Sequence, residues 1–246
     1  MPYKFSYRTS YNSSPYINRK PKKTFNLSAT IILIIITVFI FLVQIIVDYA
    51  ASTSGSAGFF TRTFGLMPSD ILHGNNLWSI ITSMFLHGGV FHLIMNMLSL
   101  MFLGSFLEKL IGKKRFLMIY FVSGIVASLF FVVLAGFFGS TALGSRLFGS
   151  PDALAVGASG AIFGIAATLM ILTPKVKVYI FPIPKSLPLW LGVLLNLFAL
   201  WVISASISLP IGNSAHLGGF LTGIIFGLYL RFKYKKRVQV LDQVFR

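Results

Sequence analysis

Ser159 is the residue of this sequence that first suggests chemistry. Its hydroxyl lies between Gly157 and Gly160, in the segment "VGASGAIFG", within a stretch that is apolar enough to lie in lipid. A serine hydroxyl becomes an effective nucleophile only when a neighbouring base removes its proton. His216, in the segment "SAHLGG", is the natural base, because a desolvated imidazole stays neutral and can accept that proton. The two residues predict nucleophilic catalysis if the fold brings them together.

His92 and Asn96 could supply the second requirement of such chemistry, a set of hydrogen-bond donors for a tetrahedral oxyanion. They are four residues apart in "HLIMN", so one face of a helix would carry both. The backbone N–H of Ser159, near a helix N-terminus, would add another donor. We therefore expect Ser159 as nucleophile, His216 as general base, and an oxyanion site formed by His92, Asn96 and the Ser159 backbone.

Each of these residues also has a purely structural interpretation. A serine in a segment of Gly, Ala and Ser is often a helix-packing residue, and the spacing Gly160-x-x-x-Gly164 is typical of packed helices. His92 and Asn96 could form hydrogen bonds across a bundle and nothing more. However, ionisable side chains inside a membrane are costly and usually functional. Polar residues from three predicted helices at one depth favour the catalytic interpretation.

The acidic residues offer no third member for a Ser–His–Asp triad. Only five Asp and Glu residues occur, and none falls within a predicted membrane span at the depth of Ser159. Asp152, nearly two helical turns before Ser159, is the only acid close to it in sequence. We therefore predict a Ser–His dyad. We expect no cofactor and no metal, since cysteine is absent and the zinc-binding pattern H-E-x-x-H does not occur.

The composition identifies the elements that must position these residues as membrane-spanning helices. The chain has 246 residues, of which 56% are hydrophobic and 11% charged, and this is too apolar for a soluble domain of its length. Six apolar runs reach the roughly 20 residues that cross a bilayer, and their uninterrupted apolar character predicts helices. The runs are Ala29–Val47, Leu86–Leu107, Phe116–Phe138, Ala153–Leu172, Leu187–Ser204 and Ser214–Phe232.

The predicted fold is an all-α integral membrane protein built as one six-transmembrane-helix bundle. We divide the chain into a basic cytoplasmic N-terminal segment, 1–26, a transmembrane domain, 27–232, and a basic cytoplasmic tail, 233–246. Within the bundle, Gly219, Gly223 and Gly227 repeat every four residues and would form a groove that lets two backbones approach closely. That groove would allow the helices of Ser159 and His216 to meet.

Basic residues are distributed very unequally between the two sides of the predicted bundle. All but Arg62 and Arg146 of the 21 Lys and Arg residues lie before span one, in the loops between spans two and three and between spans four and five, or from Arg231, at the end of span six, onward. The positive-inside rule then places both termini in the cytoplasm. Attraction to anionic lipid headgroups explains the net charge of +16. We therefore expect membrane lipids, and no nucleic acid, as partners.

Three separated motifs of this sequence resemble those of the rhomboid intramembrane serine proteases. They are "GASG" (Gly157–Gly160), "HLIMN" (His92–Asn96) and "AHLGGFLTG" (Ala215–Gly223), within a similarity that extends over roughly Trp78 to Phe232. The resemblance implies the six-helix rhomboid fold, with the serine at the start of helix four and a water-filled cavity that opens outward. It implies the roles already given for Ser159, His216, His92 and Asn96. The residues expected to have structural roles at the site are Gly157, which shapes the turn before the serine, Gly160, Gly219 and Gly223.

Three other positions can be compared with the family pattern. The family often has Trp-Arg in the outer loop, whereas Trp78 is followed here by Ser79. His87 matches a histidine often present in the family, which implies a supporting role for water or loop structure. Glu108 resembles a structural acid of the family, and a simple helix-end charge is the alternative.

Sequence and resemblance together predict an intramembrane serine endopeptidase that cleaves single-pass transmembrane proteins near the outer membrane face. We expect it in the cell membrane of a prokaryote. An intramembrane aspartyl protease is excluded, because it would need two aspartates within the predicted spans. The alternative that remains is a non-catalytic rhomboid-like protein that binds transmembrane clients. The physiological substrate and the oligomeric state stay open.

Overall fold

The computed structural model describes residues 27–53, 55–56, 58–179, 185–207 and 212–244. The predicted N-terminal segment, 1–26, lies outside the described residues. Within them most of the chain is helical, which confirms the predicted all-α class. The two β-strands of the described residues form a small antiparallel ribbon, in which β1 (Lys177–Tyr179) pairs with β2 (Ser186–Pro188).

Twelve α-helices follow one another along the described chain. A 3₁₀ turn, Ser83–Phe85, follows α4, and a π-helical segment, Leu100–Gly104, joins α5 to α6 in one continuous helix. The helices are α1 (Ala29–Thr53), α2 (Phe59–Phe64), α3 (Pro68–Leu72), α4 (Ser79–Thr82), α5 (Val90–Ser99), α6 (Ser105–Ile111), α7 (Lys113–Phe138), α8 (Ala142–Phe148), α9 (Ser159–Leu172), α10 (Leu189–Ile207), α11 (Asn213–Lys233) and α12 (Lys235–Val244).

Among the described residues, five helical segments are long and apolar enough to cross a membrane. They are α1, the continuous helix Val90–Ile111, α7, α10 over Leu189–Ser206, and α11. The helix α9 is apolar but has only 14 residues, or about 21 Å at 1.5 Å per residue. A bilayer core is about 30 Å thick, so α9 by itself falls short of a full crossing. A sixth crossing therefore remains a prediction.

The predicted limits of three spans are wrong. The fourth was expected to begin at Ala153, but residues 153–158 are not helical and α9 begins at Ser159. Backbone hydrogen bonds to the outer loops hold this segment in an extended form instead. The first helix continues past Val47 to Thr53, so Asp48 belongs to α1. The second begins at Val90, which leaves Leu86–Gly89 as a loop.

The centre of the bundle is α9, which packs between α7 and α11 and is buried on nearly every side. A helix surrounded in this way must be apolar all round, and the sequence of α9 has no polar face. Small residues on the three helices allow the backbones to approach closely. This central position fixes the N-terminus of α9, and with it Ser159, relative to α11.

Glu108 connects the other end of the bundle to the start of α1. Its carboxylate accepts hydrogen bonds from the backbone N–H of Ala29 at 2.7 Å and of Thr30 at 2.9 Å, and from the Thr30 hydroxyl at 2.8 Å. A carboxylate at a helix N-terminus satisfies N–H groups that have no intrahelical partner and is favoured by the helix dipole. Glu108 therefore caps α1.

The segment between α1 and α5 consists of the short helices α2, α3 and α4 and the 3₁₀ turn. The indole of Trp78 donates to the carbonyl of Thr63 at 2.9 Å, and the Thr82 hydroxyl donates to the carbonyl of Phe64 at 2.7 Å. These bonds attach α4 to the end of α2. Ser79, at the position where the family often has arginine, is fully buried. The hydrogen bonds of Trp78 and Thr82 therefore hold the outer segment together.

Candidate active site

Ser159 and His216 meet at one end of the bundle. Ser159 is the first residue of α9, and His216 lies in the first turn of α11. Nε2 of His216 is 2.8 Å from the Ser159 hydroxyl oxygen, a hydrogen-bond distance. The two side chains that the sequence predicts as nucleophile and base are thus in direct contact.

Close approach of α9 and α11 makes that contact possible. A Cβ atom added to Gly219 would overlap the carbonyl oxygen of Gly160, and one added to Gly223 would overlap that of Gly164. The Thr168 hydroxyl, on α9, also reaches the carbonyl of Gly223 at 3.1 Å. Backbone packs directly on backbone along this interface, so only glycine fits at these positions of α11.

The ring of His216 is enclosed by its neighbours. Its exposed fraction is 6%, and the ring of Phe163, one turn after Ser159 on α9, lies 4.7 Å away between centroids at an angle of 32°. Within the described residues, Nδ1 of His216 has no hydrogen-bond partner. Asp152 is exposed, and within the described residues no hydrogen bond joins it to Ser159 or His216. Phe163 was not predicted as a site residue, although its four-residue spacing from Ser159 puts both on one face of a helix.

The extended segment before Ser159 is held by backbone hydrogen bonds. The N–H of Gly157 donates to the carbonyl of Ser83 at 2.9 Å, and Ala155 pairs in both directions with Leu66. Gly157 has a φ of +128°, a conformation that L side chains rarely adopt. A Cβ at this position would also lie 2.8 Å from Cε1 of His92. Both the backbone angle and the neighbouring ring require glycine.

His92 and Asn96 lie on the same side of the site, on α5. The His92 ring borders Gly157, which lies two residues before Ser159 in the chain. Asn96 is buried and donates from Nδ2 to the carbonyl of His92 at 2.9 Å. This bond uses one of its two amide hydrogens. In the described part of the chain, no hydrogen bond joins Asn96 to Ser159 or His216.

His87 lies behind His92 in the loop before α5. Its side chain is 1% exposed, and its ring stands edge-on to that of His92, with centroids 5.1 Å apart. Burial, and secondarily the neighbouring His92, lowers the pKa of His87 to about 3. The ring is therefore neutral at physiological pH. His87 contributes shape and packing behind His92 without adding a charge.

The arrangement combines a hydroxyl, an imidazole and several N–H groups around one point. The first N–H groups of α9 have no acceptor within their own helix and face the start of that helix, next to Ser159. Such groups favour a negative charge placed near them. Within the described residues, no group of three or more His, Asp or Glu side chains could hold a metal ion. The geometry suits acyl transfer through a serine.

Comparison with known proteins identifies the family. Residues 74–233 match the Rhomboid domain, and they include Ser159, His216, His92 and Asn96. The chain is 35% identical to RHOMBOID-like protein 1 of Arabidopsis thaliana over 160 residues, covering 65% of this chain and 36% of that protein. It is 29% identical to Rhomboid-like protease 3 of Toxoplasma gondii over 170 residues, covering 69% of this chain and 56% of that protein.

This chain belongs to the rhomboid family and, with its several apolar helices, is a multi-pass membrane protein. It is also 32% identical over 184 residues to Inactive RHOMBOID-like protein 8 of Arabidopsis thaliana, covering 74% of this chain and 46% of that protein. The chain therefore spans between about a third and somewhat more than half of the length of these relatives. Family membership alone does not decide whether it cleaves.

Proposed function

We propose that this protein is an intramembrane serine endopeptidase that uses Ser159 as nucleophile and His216 as general base. The observation that carries the proposal is the 2.8 Å contact between the Ser159 hydroxyl and Nε2 of His216. A serine that only packs helices has no need of an imidazole at this distance. The enclosed ring, held between α9 and α11, is already oriented to accept the hydroxyl proton.

In the first half of the reaction, the Ser159 oxygen attacks the carbonyl carbon of the scissile peptide while its proton passes to His216. The carbonyl oxygen becomes an oxyanion, which the His92 ring N–H, the free Asn96 amide hydrogen and the Ser159 backbone N–H stabilise. The tetrahedral intermediate then collapses. The C–N bond breaks, His216 returns its proton to the leaving amine, and an acyl-enzyme remains.

In the second half, His216 accepts a proton from water as that water attacks the acyl carbon. Collapse of the second intermediate breaks the bond to Ser159, and the proton on His216 restores its hydroxyl. No aspartate takes part. Within the described residues Nδ1 of His216 has no hydrogen-bond partner, and packing by Phe163 supports a dyad in which the ring is oriented sterically.

The substrates we propose are single-pass transmembrane proteins. The site lies at one end of the bundle, and the charge bias assigns that end to the outside, so cleavage would occur near the outer end of a client helix. A regular helix hides its carbonyls in hydrogen bonds. A client must therefore have helix-weakening residues at the cleavage point, because extended backbone has to reach Ser159.

A non-catalytic role as a binder of transmembrane clients is the second candidate. It is favoured by the 32% identity to a relative whose name calls it inactive. The Ser159–His216 contact favours the protease instead. A binder needs no activated hydroxyl, so the two candidates differ in whether Ser159 reacts.

The test is labelling by a serine-directed fluorophosphonate, together with cleavage of a model transmembrane substrate by the purified protein. We expect labelling and cleavage by the wild type and neither by Ser159→Ala. Ser105→Ala, which removes a half-buried hydroxyl from α6 away from the site, is the matched control and should keep both. Labelling that persists in Ser159→Ala would refute the assignment, and client binding without any cleavage would favour the binder.

Orientation can be tested separately, because the chain has no cysteine of its own. We expect an impermeant thiol reagent applied to intact cells to modify a cysteine introduced at position 146. It should not modify one introduced at position 4 or 240. The reverse pattern would invert the topology and move the proposed cleavage to the cytoplasmic end of client helices.

A further inference from the structure

Gln44 is a buried amide in the otherwise apolar helix α1, and it pairs with the backbone of the loop before α5. Its exposed fraction is 6%. Oε1 accepts from the N–H of His87 at 3.1 Å, and Nε2 donates to the carbonyl of the same residue at 2.9 Å. An amide that satisfies both backbone groups of one residue fixes the position and orientation of that residue.

A second set of hydrogen bonds fixes the orientation of the Gln44 amide. Nε2 also donates to the Thr61 hydroxyl oxygen at 2.9 Å. That hydroxyl donates in turn to the carboxylate of Asp48, one turn further along α1, and the same carboxylate accepts the N–H of Phe60 at 2.6 Å. Because Asp48 can only accept when ionised, the Thr61 oxygen is left as an acceptor for Gln44. Only one orientation of the Gln44 amide satisfies these contacts, with Nε2 toward Thr61 and the His87 carbonyl and Oε1 toward the His87 N–H.

The peptide unit between His87 and Gly88 links the hydrogen bonds of Gln44 to the ring of His92. Its carbonyl is held by Gln44, and its N–H points to the opposite side of the same planar unit. That N–H belongs to Gly88 and reaches Nδ1 of His92 at 3.5 Å, the long end of the hydrogen-bond range. A hydrogen bond to the carbonyl of a peptide also polarises its N–H as a donor.

An imidazole whose Nδ1 accepts a hydrogen bond carries its proton on Nε2. Nε2 of His92 is the nitrogen that borders Gly157, since a Cβ at that glycine would lie 3.0 Å from it. The proton is thus on the side of Ser159, where an oxyanion needs a donor. The other neutral tautomer would direct its N–H at the Gly88 N–H and leave the site without this donor.

We propose that Gln44 is a positioning residue, which holds the His87–Gly88 peptide so that its N–H keeps His92 in the Nε2–H tautomer. The kinetic part of this inference rests on the proposed function. The tautomer itself is a property of the resting protein. Gln44 was not predicted as a site residue, although an uncharged polar side chain within an apolar span is unusual.

The first measurement observes the tautomer directly and needs no activity. The chain has four histidines, so ¹⁵N-histidine labelling in micelles gives few imidazole signals, which His→Gln variants assign. We expect His92 as the Nε2–H form in the wild type and a clear gain of the Nδ1–H form in Gln44→Met. Thr37→Val is the matched control: it lies on α1, is fully buried and loses a hydroxyl that has no partner within the described residues. It should leave the His92 signals unchanged.

The second measurement is kinetic. Removing an oxyanion donor outright typically costs about 10²–10³ in rate, and we expect Gln44→Met to lower kcat by about tenfold with KM nearly unchanged, since only the orientation of the donor is lost. In a His92→Ala background the same substitution should have little further effect, because Gln44 acts through His92. Thr61→Val removes the Thr61 hydroxyl that accepts from Gln44 but keeps both contacts between Gln44 and His87. It should shift the His92 tautomer and kcat in the same direction as Gln44→Met, but less.

The outcomes separate this inference from the proposed function. A wild type that neither cleaves nor reacts with fluorophosphonate refutes the function, while the His92 signals still decide the tautomer. An Nδ1–H form in the wild type, or unchanged His92 signals in folded Gln44→Met, refutes the inference. A loss of kcat in Gln44→Met that persists in full in the His92→Ala background also refutes it. If Gln44→Met does not fold, Thr61→Val decides by the same criteria.

Discussion

Two sides of the site are supported in physically different ways. Ser159 and His216 are held by α9 and α11, whose backbones touch at Gly160 and Gly219 with no side chains between them. His92 is held on the opposite side by hydrogen bonds that pass from α1 through a loop. The first support is packing between two helices, and the second is a series of polar contacts between a helix and irregular backbone.

The difference shows what each side can tolerate. Close-packed backbones have no side chain that can move aside, so any added atom displaces a whole helix. Hydrogen bonds can lengthen or change partners at smaller cost, because polar groups in a network share their donors and acceptors. We therefore expect an added atom on the α9–α11 side to lower both stability and activity, and substitutions on the α1–α5 side to lower activity without unfolding the protein.

The largest effect is expected for His216→Ala, which removes the base and leaves the hydroxyl unactivated. We expect kcat to fall by about 10⁴–10⁶-fold. The melting temperature should fall moderately, because the variant loses a buried ring that packs on Phe163 and its hydrogen bond to Ser159. Cleavage of a model transmembrane substrate and a thermal melt in detergent measure the two. Activity above about 1% of wild type in the folded variant would contradict the role of this histidine.

The packed side is tested next by Gly219→Ala. The added methyl would overlap the Gly160 carbonyl, and such overpacking typically costs about 1–3 kcal/mol of unfolding free energy. Displacement of α11 should also separate His216 from Ser159 and lower kcat at least tenfold. Gly212→Ala, just before α11, is the control, because its Cβ would meet its first neighbour at an ordinary 3.7 Å. Equal melting of the two variants would refute backbone contact as the cause.

The hydrogen-bonded side is tested by His92→Ala and Asn96→Ala. We expect kcat to fall by about 10²–10³-fold or less with KM barely changed, because donors to an oxyanion act only on charge that develops in the transition state. Asn96 should be the milder, since one of its amide hydrogens is already used by the His92 carbonyl. A folded variant with the wild-type rate would remove its residue from the oxyanion site. Unfolding of both would instead favour the packing interpretation.

The smallest effect on activity is expected for Glu108→Gln, at the far end of the bundle. An amide accepts fewer of the three hydrogen bonds at the start of α1 and carries no charge for the helix dipole. We expect a loss of about 1–2 kcal/mol of stability with kcat unchanged. Asp152→Asn removes an exposed charge near Ser159 and should change neither quantity. A large fall in kcat for Asp152→Asn would instead indicate that Asp152 is a third catalytic residue.

Much of the site could be predicted because its residues have unusual types for their surroundings. A serine, two histidines and an asparagine stand out in apolar helices, and glycines at four-residue spacing indicate close packing. The residue that packs on the His216 ring was not predicted, because its type is not unusual in these helices. Phe163 is one of many phenylalanines in the chain, and its role as a wall for His216 depends on which face of α9 meets α11.

The sequence by itself determined the membrane class, the approximate positions of the long apolar helices and the candidate reactive pair, because a bilayer admits few backbone structures and places polar side chains under strong constraint. Only the tertiary structure decided where α9 begins. An apolar run from Ala153 satisfies the length rule for a span, yet Leu66 and Ser83 provide backbone partners that hold its first residues extended. The same holds for Gln44, since the loop peptide that pairs with it is far along the chain and no local pattern encodes that contact.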